Sequence, residues 1–460
     1  MKKPTRSLSG VSVVAVMTSP SPCPHGRCSY CPGGPEFGTP QSYTGEEPSG
    51  LRGAQFGYDS YKIVEHRLAT LAEIGHPTSK VEVILMGGTY TSRPLQWQES
   101  TIRRCFDALN GKDSATLAEA QKVNESASSR CVGLTVETRP DQASSETLRH
   151  LVSCGVTRIE FGVEALNDSV LDHVHRGHGV TAVVEATRRA RDLGLKVVYH
   201  MMPGLPGMDE KKDIEDFGRL FSDENFRPDM LKIYPCLVVR GTPLYEEWKR
   251  GLYKPYDSET AARLLATIKE SLPRYVRIQR VQRDIPARLI VDGVRKGNLR
   301  QLALAILASR GKRCPCLRCR ELGRNYTPKD LEAIELKRQE YRAGGGNEVF
   351  LSLEDKGTDA LAGYVRLRFP SKDGTGLSEP VIRELKVLGV EVPVGEAAKG
   401  VTEVQHRGFG QRLVRAAMDE AAQSGASKLY VLSAVGTRGY YAKIGFSMDG
   451  PWMSIRPSAT

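Results

Sequence analysis

Between residue 11 and about residue 270, short apolar runs alternate with longer stretches whose apolar residues recur every three or four positions. The short runs, Val11 to Met17, Val81 to Met86, Val132 to Glu137, Arg158 to Gly162, Lys196 to Met201 and Leu231 to Tyr234, predict strands. The stretches between them predict helices over Tyr58 to Ile74, Leu95 to Leu109, Ser144 to Cys154, Thr181 to Leu193 and Lys211 to Phe221, and the polar segment from Leu117 to Lys122 reads as a further helix. Such alternation is the pattern of a parallel α/β sheet, and six βα units are what an open (β/α)6 partial barrel needs. Ligands in barrels of this kind gather at the carboxyl ends of the strands. The pattern changes near Arg274 and again in the last third. There Glu348 to Leu353, Leu361 to Phe369, Ile382 to Val390 and Lys428 to Ser433 predict strands around a helix from Gln411 to Gln423. Three segments result: 1–270, a basic linker at 271–325, and a separate α/β domain at 326–460.

Length supports this division, because 460 residues exceed one ordinary core. No apolar run approaches the ~20 residues that span a bilayer, and the start, Met1-Lys-Lys-Pro-Thr-Arg, has no signal-peptide pattern. The ten cysteines fall as two triplets plus Cys105, Cys131, Cys154 and Cys236, which argues against a disulfide framework and for a reducing cytoplasm. The net charge of +11 is local: residues 271–325 hold fourteen Lys/Arg against three Asp/Glu, and the remainder is balanced. That concentration, with Tyr275 among the arginines, suggests a nucleic-acid backbone as partner, a solvated basic face being the plain alternative.

The first triplet is Cys23-Pro-His-Gly-Arg-Cys28-Ser-Tyr-Cys31. Three thiolates on one loop can hold three irons of a [4Fe-4S] cube and leave the fourth iron open. A zinc site would need His25 as fourth ligand, poorly placed inside so short a run, and metal-free thiols are the remaining reading. The predicted strand ends carry further chemistry: Gly87-Gly88-Thr89, Glu137 with Arg139 and Asp141, Glu160 and Glu164, and His200 followed by Gly204 and Gly207. The second triplet, Cys314, Cys316 and Cys319, has the CxCxxC spacing of a zinc site that draws a fourth ligand from elsewhere, with iron-sulfur ligation and free thiols as rivals. Zinc there would pin the basic linker. In the last third Gln405-His-Arg407-Gly408-Phe409-Gly410-Gln411 opens a helix, and a Gly-rich turn at a helix N-terminus presents free N–H groups to phosphate. Tyr440 and Tyr441 precede Gly445-Phe446.

The first triplet resembles the radical SAM signature, although its first gap is one residue longer than that superfamily's usual spacing. The Gly-rich turn resembles the pyrophosphate loop of GNAT acetyltransferases. Together with Ser9-Gly-Val-Ser-Val-Val-Ala-Val-Met17, Cys31-Pro-Gly-Gly-Pro35, Gln41-Ser-Tyr-Thr-Gly45 and the segment Gly75 to Lys80, these motifs resemble the catalytic subunit of Elongator from Lys3 to about Met453. The resemblance implies an open radical SAM barrel followed by a GNAT domain, in a stand-alone prokaryotic-type form. It implies binding of a [4Fe-4S] cluster by Cys23, Cys28 and Cys31 and of S-adenosylmethionine near Gly87, Gly88, Thr89 and Glu137. It further implies acetyl-CoA contacts at Lys80, Glu384, Leu385, Lys386, Val387, Gln405, Arg407, Gly408, Phe409, Gly410, Gln411 and Tyr441, with Tyr441 or Tyr440 donating a proton to the departing thiolate.

The implied activity is carboxymethylation of the wobble uridine of tRNA, a 5′-deoxyadenosyl radical activating the methyl group of acetyl-CoA. The anticodon stem-loop would meet residues 271–325 and the cleft between domains, with a homodimer or accessory subunits left open. The family's usual N-terminal extension is essentially absent, so tRNA binding is expected to lean on the basic segment. The competing activity is protein lysine acetylation with a structural iron-sulfur domain.

Overall fold

The computed structural model describes residues 7–324, 333–371, 376–390 and 407–458. Strands β1 (Ser12–Met17), β2 (Lys80–Met86), β3 (Arg130–Thr138), β4 (Arg158–Glu164), β5 (Lys196–Met201) and β6 (Met230–Ile233) pair in that order, all parallel. Helices such as Ser60–Glu73, Leu95–Asn110, Ser145–Ser153, Val180–Asp192 and Glu210–Ser222 return the chain between them. Their starts are fixed locally: the side chains of Asp59, Ser144 and Asp209 each accept a hydrogen bond from a first-turn N–H.

Beyond β6 the short β7 (Val238–Val239) pairs with β9 (Ile290–Asp292), and β8 (Arg277–Arg280) adds a seventh parallel strand to the barrel sheet. The basic segment is therefore structured. Besides β8 and β9 it contributes the helix Leu299–Ser309 and the short helix Leu317–Arg320 that holds Cys319.

A second seven-stranded sheet is built from β10 (Ile334–Ala343), β11 (Gly346–Asp355), β12 (Leu361–Phe369), β13 (Val381–Val387), β14 (Leu429–Val431), β15 (Ser447–Asp449) and β16 (Trp452–Ile455), in the order β10-β11-β12-β13-β14-β16-β15. Every neighbouring pair is antiparallel except β13 and β14. Those two meet only through Val381 with Tyr430 and Ile382 with Val431, after which they part. The parting coincides with a bulge, since Arg366 of β12 faces Glu384 while Leu367 faces Ile382, leaving Arg383 as the extra residue.

The two sheets are locked by buried ion pairs. The Arg383 guanidinium, fully buried, lies 2.7 Å from Asp229 and 2.7 Å from Glu348. Arg191 reaches Glu348 at 2.8 Å, and Arg368 donates to Asp192 at 2.7 Å. Trp452 adds a hydrogen bond of 2.9 Å to the Leu193 carbonyl. No helix among the described residues is long and apolar enough to cross a membrane.

Candidate active site

The loop after β1 carries all three cysteines of the first triplet, each buried. The Cys31 sulfur accepts from the Ser42 N–H at 3.1 Å and the Gln41 amide at 3.3 Å, Cys28 faces the Arg176 guanidinium at 3.6 Å, and Cys23 meets the Thr89 hydroxyl at 3.2 Å. Burial pushes the Cys23 thiol above its ordinary value, with the Thr89 hydroxyl and the Arg176 guanidinium opposing. Gly87 and Gly88 run beneath them with φ of +131° and +100°, and a Cβ on Gly87 would come within 2.5 Å of the Thr18 hydroxyl. This donor set and glycine floor fit a cluster with a ligand laid against it. Cys314, Cys316 and Cys319 form a different arrangement, their sulfurs all within 4.8 Å of one another, as one tetrahedral ion requires.

Below the cysteine loop lies a cavity of about 590 Å³ at the carboxyl ends of the strands. Its inner wall is an interlocked set from four successive strands. Lys232 of β6 is 3.1 Å from Glu137 of β3 and pairs with Glu160 of β4, while His200 of β5 sits 2.9 Å from Glu160. Tyr43 donates its hydroxyl proton to Glu137 at 3.0 Å. The carboxylates and imidazole are close enough to hold a metal, but the Lys232 ammonium already supplies the cation. Burial opposes charge on Glu160, yet Lys232, with His200 and Arg158, holds its carboxyl well below the usual range. Lys232 stays protonated, its value raised against burial by Glu160.

A second cavity, of about 1140 Å³, opens between β13 and β14 and continues into the foot of the barrel. Glu384, Leu385, Lys386 and Val387 line it along β13, Gly408, Phe409, Gly410 and Gln411 at the start of the helix Phe409–Gln423, and Tyr440 and Tyr441 at its far side. Gly408 takes a left-handed φ of +78°, and a Cβ on Gly410 would lie 2.8 Å from the Tyr440 hydroxyl. The Tyr441 ring packs edge-on against Tyr440 and Phe446 at 5.2 and 5.5 Å, and burial raises the pKa of its phenol. Lys80, placed just ahead of the second strand by the sequence, is instead that strand's first residue and lines this cavity. Arg407 is exposed and outside its lining, and Gln405 lies outside the described residues.

The two cavities share walls: Val13, Ala15, Met86, Lys232, Arg280 and Arg318 line both. The barrel lumen thus runs from the cysteine loop to the parting of β13 and β14. Sequence reasoning passed over Glu82, Arg158, Lys196, Arg280 and Arg283, all of which line it. A signal was present, since Lys80 and Glu82, Arg158 and Glu160, and Lys196 and His200 recur at even spacing within strands, the spacing of a single face.

A parallel half-barrel with a three-cysteine loop, joined to a splayed sheet with a Gly-rich helix start, defines a radical SAM enzyme fused to a GNAT acyltransferase. The comparisons agree: residues 18–221 match the Radical SAM superfamily, 228–307 the Radical_SAM C-terminal domain and 317–446 the Acetyltransferase (GNAT) family. The former fold implies S-adenosylmethionine and a [4Fe-4S] cluster, the latter acetyl-CoA. The chain is 46% identical to the tRNA uridine(34) acetyltransferase of Methanocaldococcus jannaschii, over 98% of this chain and 85% of that one. It is 44% identical to the Elongator complex protein 3 of Homo sapiens, over 98% and 85%. The solved structure of the archaeal Methanocaldococcus infernus Elp3 with an N-terminus deletion superposes with a TM-score of 0.86 at 41% identity, covering 98% of this chain and all of that one. The chain belongs to the Elongator complex protein 3 family.

Proposed function

We propose that the protein is a tRNA uridine carboxymethyltransferase acting on the wobble uridine, with S-adenosylmethionine and acetyl-CoA as cosubstrates. The observation that carries this reading is the shared lumen, which joins the cysteine-loop cavity to the GNAT cavity inside one chain. Relatives named for acetyl transfer to tRNA uridine(34) support the substrate.

In this reading Cys23, Cys28 and Cys31 hold the cluster, and Gly87, Gly88, Thr89 and Glu137 cradle S-adenosylmethionine. The helix start at Gly408–Gln411 takes the pyrophosphate of acetyl-CoA, and Glu384–Val387 run along its pantetheine arm. Cluster and S-adenosylmethionine together supply a radical able to activate a methyl C–H bond, which uridine carbon 5 requires because it is a poor nucleophile toward a thioester. Glu137, Glu160, His200 and Lys232 line the lumen on its cysteine-loop side and keep its charge balanced. Tyr441 stands ready to protonate a departing thiolate. Arg280 and Arg283 bring the basic segment to the mouth of the upper cavity, where phosphates of a splayed anticodon loop would lie. Zinc at Cys314, Cys316 and Cys319 would fasten that segment, beside the buried Lys269, whose ammonium is 3.6 Å from the Cys319 sulfur. Ten unpaired cysteines suit a cytoplasmic location.

The test follows the methyl carbon. Anaerobic protein is given reductant, S-adenosylmethionine, tRNA, a lysine-rich acceptor protein and methyl-labelled acetyl-CoA, and the RNA and the acceptor protein are each digested for mass spectrometry. Label on uridine that disappears in Cys31→Ala supports the reading. Label on substrate-protein lysines that persists in that variant overturns it in favour of a protein acetyltransferase.

A further inference from the structure

Lys196 begins β5 at the foot of the barrel, and its side chain enters the GNAT cavity. Its Nζ lies 3.5 Å from the Arg383 carbonyl oxygen. Arg383 is the bulged residue of β13, the first beyond the last pair that β13 makes with β14. Where that places an amine follows from the direction of the strand.

A Cβ on Gly410 would lie 3.7 Å from the Val387 side chain, so the helix start, and a pyrophosphate held there, lies at the carboxyl end of β13. An arm running from it along β13 can only point back toward Arg383, and its thioester comes to rest where the strands part. Lys196 is already there. The position that an incoming amine would take in an acyl transfer is thus filled by a lysine of the barrel itself.

Three other lysines line the same cavity, Lys80, Lys232 and Lys386. Lys232 is committed to two carboxylates, and Lys80 begins a strand three places away across the sheet. Lys386 belongs to β13 on the far side of Arg383 from the parting point. The charges facing Lys196 come from β2, β4 and β13: Glu82, Arg158, Arg383 and Glu384. Burial pushes its ammonium down to about 8, with Arg158 and Arg383 assisting and Glu384 and Glu82 opposing, so a sizeable neutral fraction exists at mildly alkaline pH.

We propose that Lys196 is a self-acetylation site, its side-chain amine accepting the acetyl group of acetyl-CoA bound between β13 and β14. The neutral Nζ attacks the thioester carbonyl carbon, the C–N bond forms, the C–S bond breaks, and the sulfur leaves with the proton released from nitrogen, giving acetyl-lysine and free CoA. No reductant or S-adenosylmethionine is consumed. The proposal rests on the acetyl-CoA half of the function proposed above and on none of its radical chemistry. Its product removes the one cation facing Glu384 and Glu82 from β5 and fills the lumen below Lys232.

The test uses the full-length protein with acetyl-CoA alone at pH 7, 8 and 9, followed by peptide mapping by mass spectrometry, with acetyl-CoA binding measured separately by calorimetry. Acetylation of Lys196 at least about tenfold faster than of the exposed Lys211, the advantage of a held pair over a chance encounter, is expected, with a rate that rises over this pH range. Unfolding the protein in urea should erase the preference, and Lys196→Arg should leave no acetyl-lysine in the cavity while binding persists. Bound acetyl-CoA with Lys196 unmodified, or acetylated no faster than Lys211, overturns the proposal. Absence of binding overturns both it and the acetyl-CoA half of the functional reading.

Discussion

Removing the ammonium of Lys232 strips Glu137 of its partner and leaves Glu160 with Arg158 at 3.5 Å and His200 at 2.9 Å. Lys232→Met should therefore cost about 3–5 kcal/mol, the usual penalty for stripping one partner from a buried ion pair, as measured by urea unfolding. The double variant Lys232→Met with Glu160→Gln should recover part of that loss. Cys28→Ala should lose the visible iron–sulfur absorption after anaerobic reconstitution, while acetyl-CoA binding by calorimetry stays intact. At this scale the sequence was most legible where partners are close along the chain. Cys23, Cys28 and Cys31 declare themselves by spacing, and Gly87-Gly88 by position after a strand. The role of Lys232 is hidden in the sequence because its carboxylates sit on β3 and β4, far back in the chain, and only the closure of the sheet brings them together. Lys196 and Arg158 were passed over for the same reason, since a charged residue opening a strand reads as solvated until the barrel turns it inward.

The helix Phe409–Gln423 and the bulged β13 line the cavity proposed to take acetyl-CoA, and each depends on a local backbone departure. A methyl group at Gly410 would crowd the Tyr440 hydroxyl and the turn that presents free N–H groups. Gly410→Ala should weaken acetyl-CoA binding roughly tenfold, a loss of about 1.4 kcal/mol, measurable by calorimetry, without lowering the melting temperature of the barrel. The six expected barrel strands stand close to where their apolar runs put them. β8 was missed because Arg277 and Arg280 read as surface charge; Arg277 is in fact paired with Glu321 at 3.1 Å. β10 was missed because it is an edge strand whose middle carries Lys337, Arg338 and Glu340, leaving little apolar alternation to detect. The Gly-rich start of the helix Phe409–Gln423 was legible two residues late, since its first turn begins on Phe409 instead of Gln411.

Across the whole molecule the barrel and the acyltransferase sheet are held by charges that neither could keep buried alone. Burial works against the Asp229 carboxylate, but Arg383, Arg191 and Arg366 hold it far below the ordinary carboxylate range. A depressed folded value means that this stabilisation is complete above the unfolded value of about 4 and drains away as pH falls below it toward the folded value. Near-ultraviolet circular dichroism should therefore report loss of tertiary structure on acidification below about pH 4, and Asp229→Asn should be destabilised at neutral pH and less sensitive to that acidification. None of this was visible in the residue string, where Asp192, Asp229, Glu348, Arg366, Arg368 and Arg383 are scattered charges in two distant halves. The interface also constrains ancestry. A barrel exchanged for that of another lineage would bring an acid where the resident arginine expects one only if both halves had shared a history, so Asp229 and Arg383 should drift as a pair among relatives, and recombination between the halves should be rare.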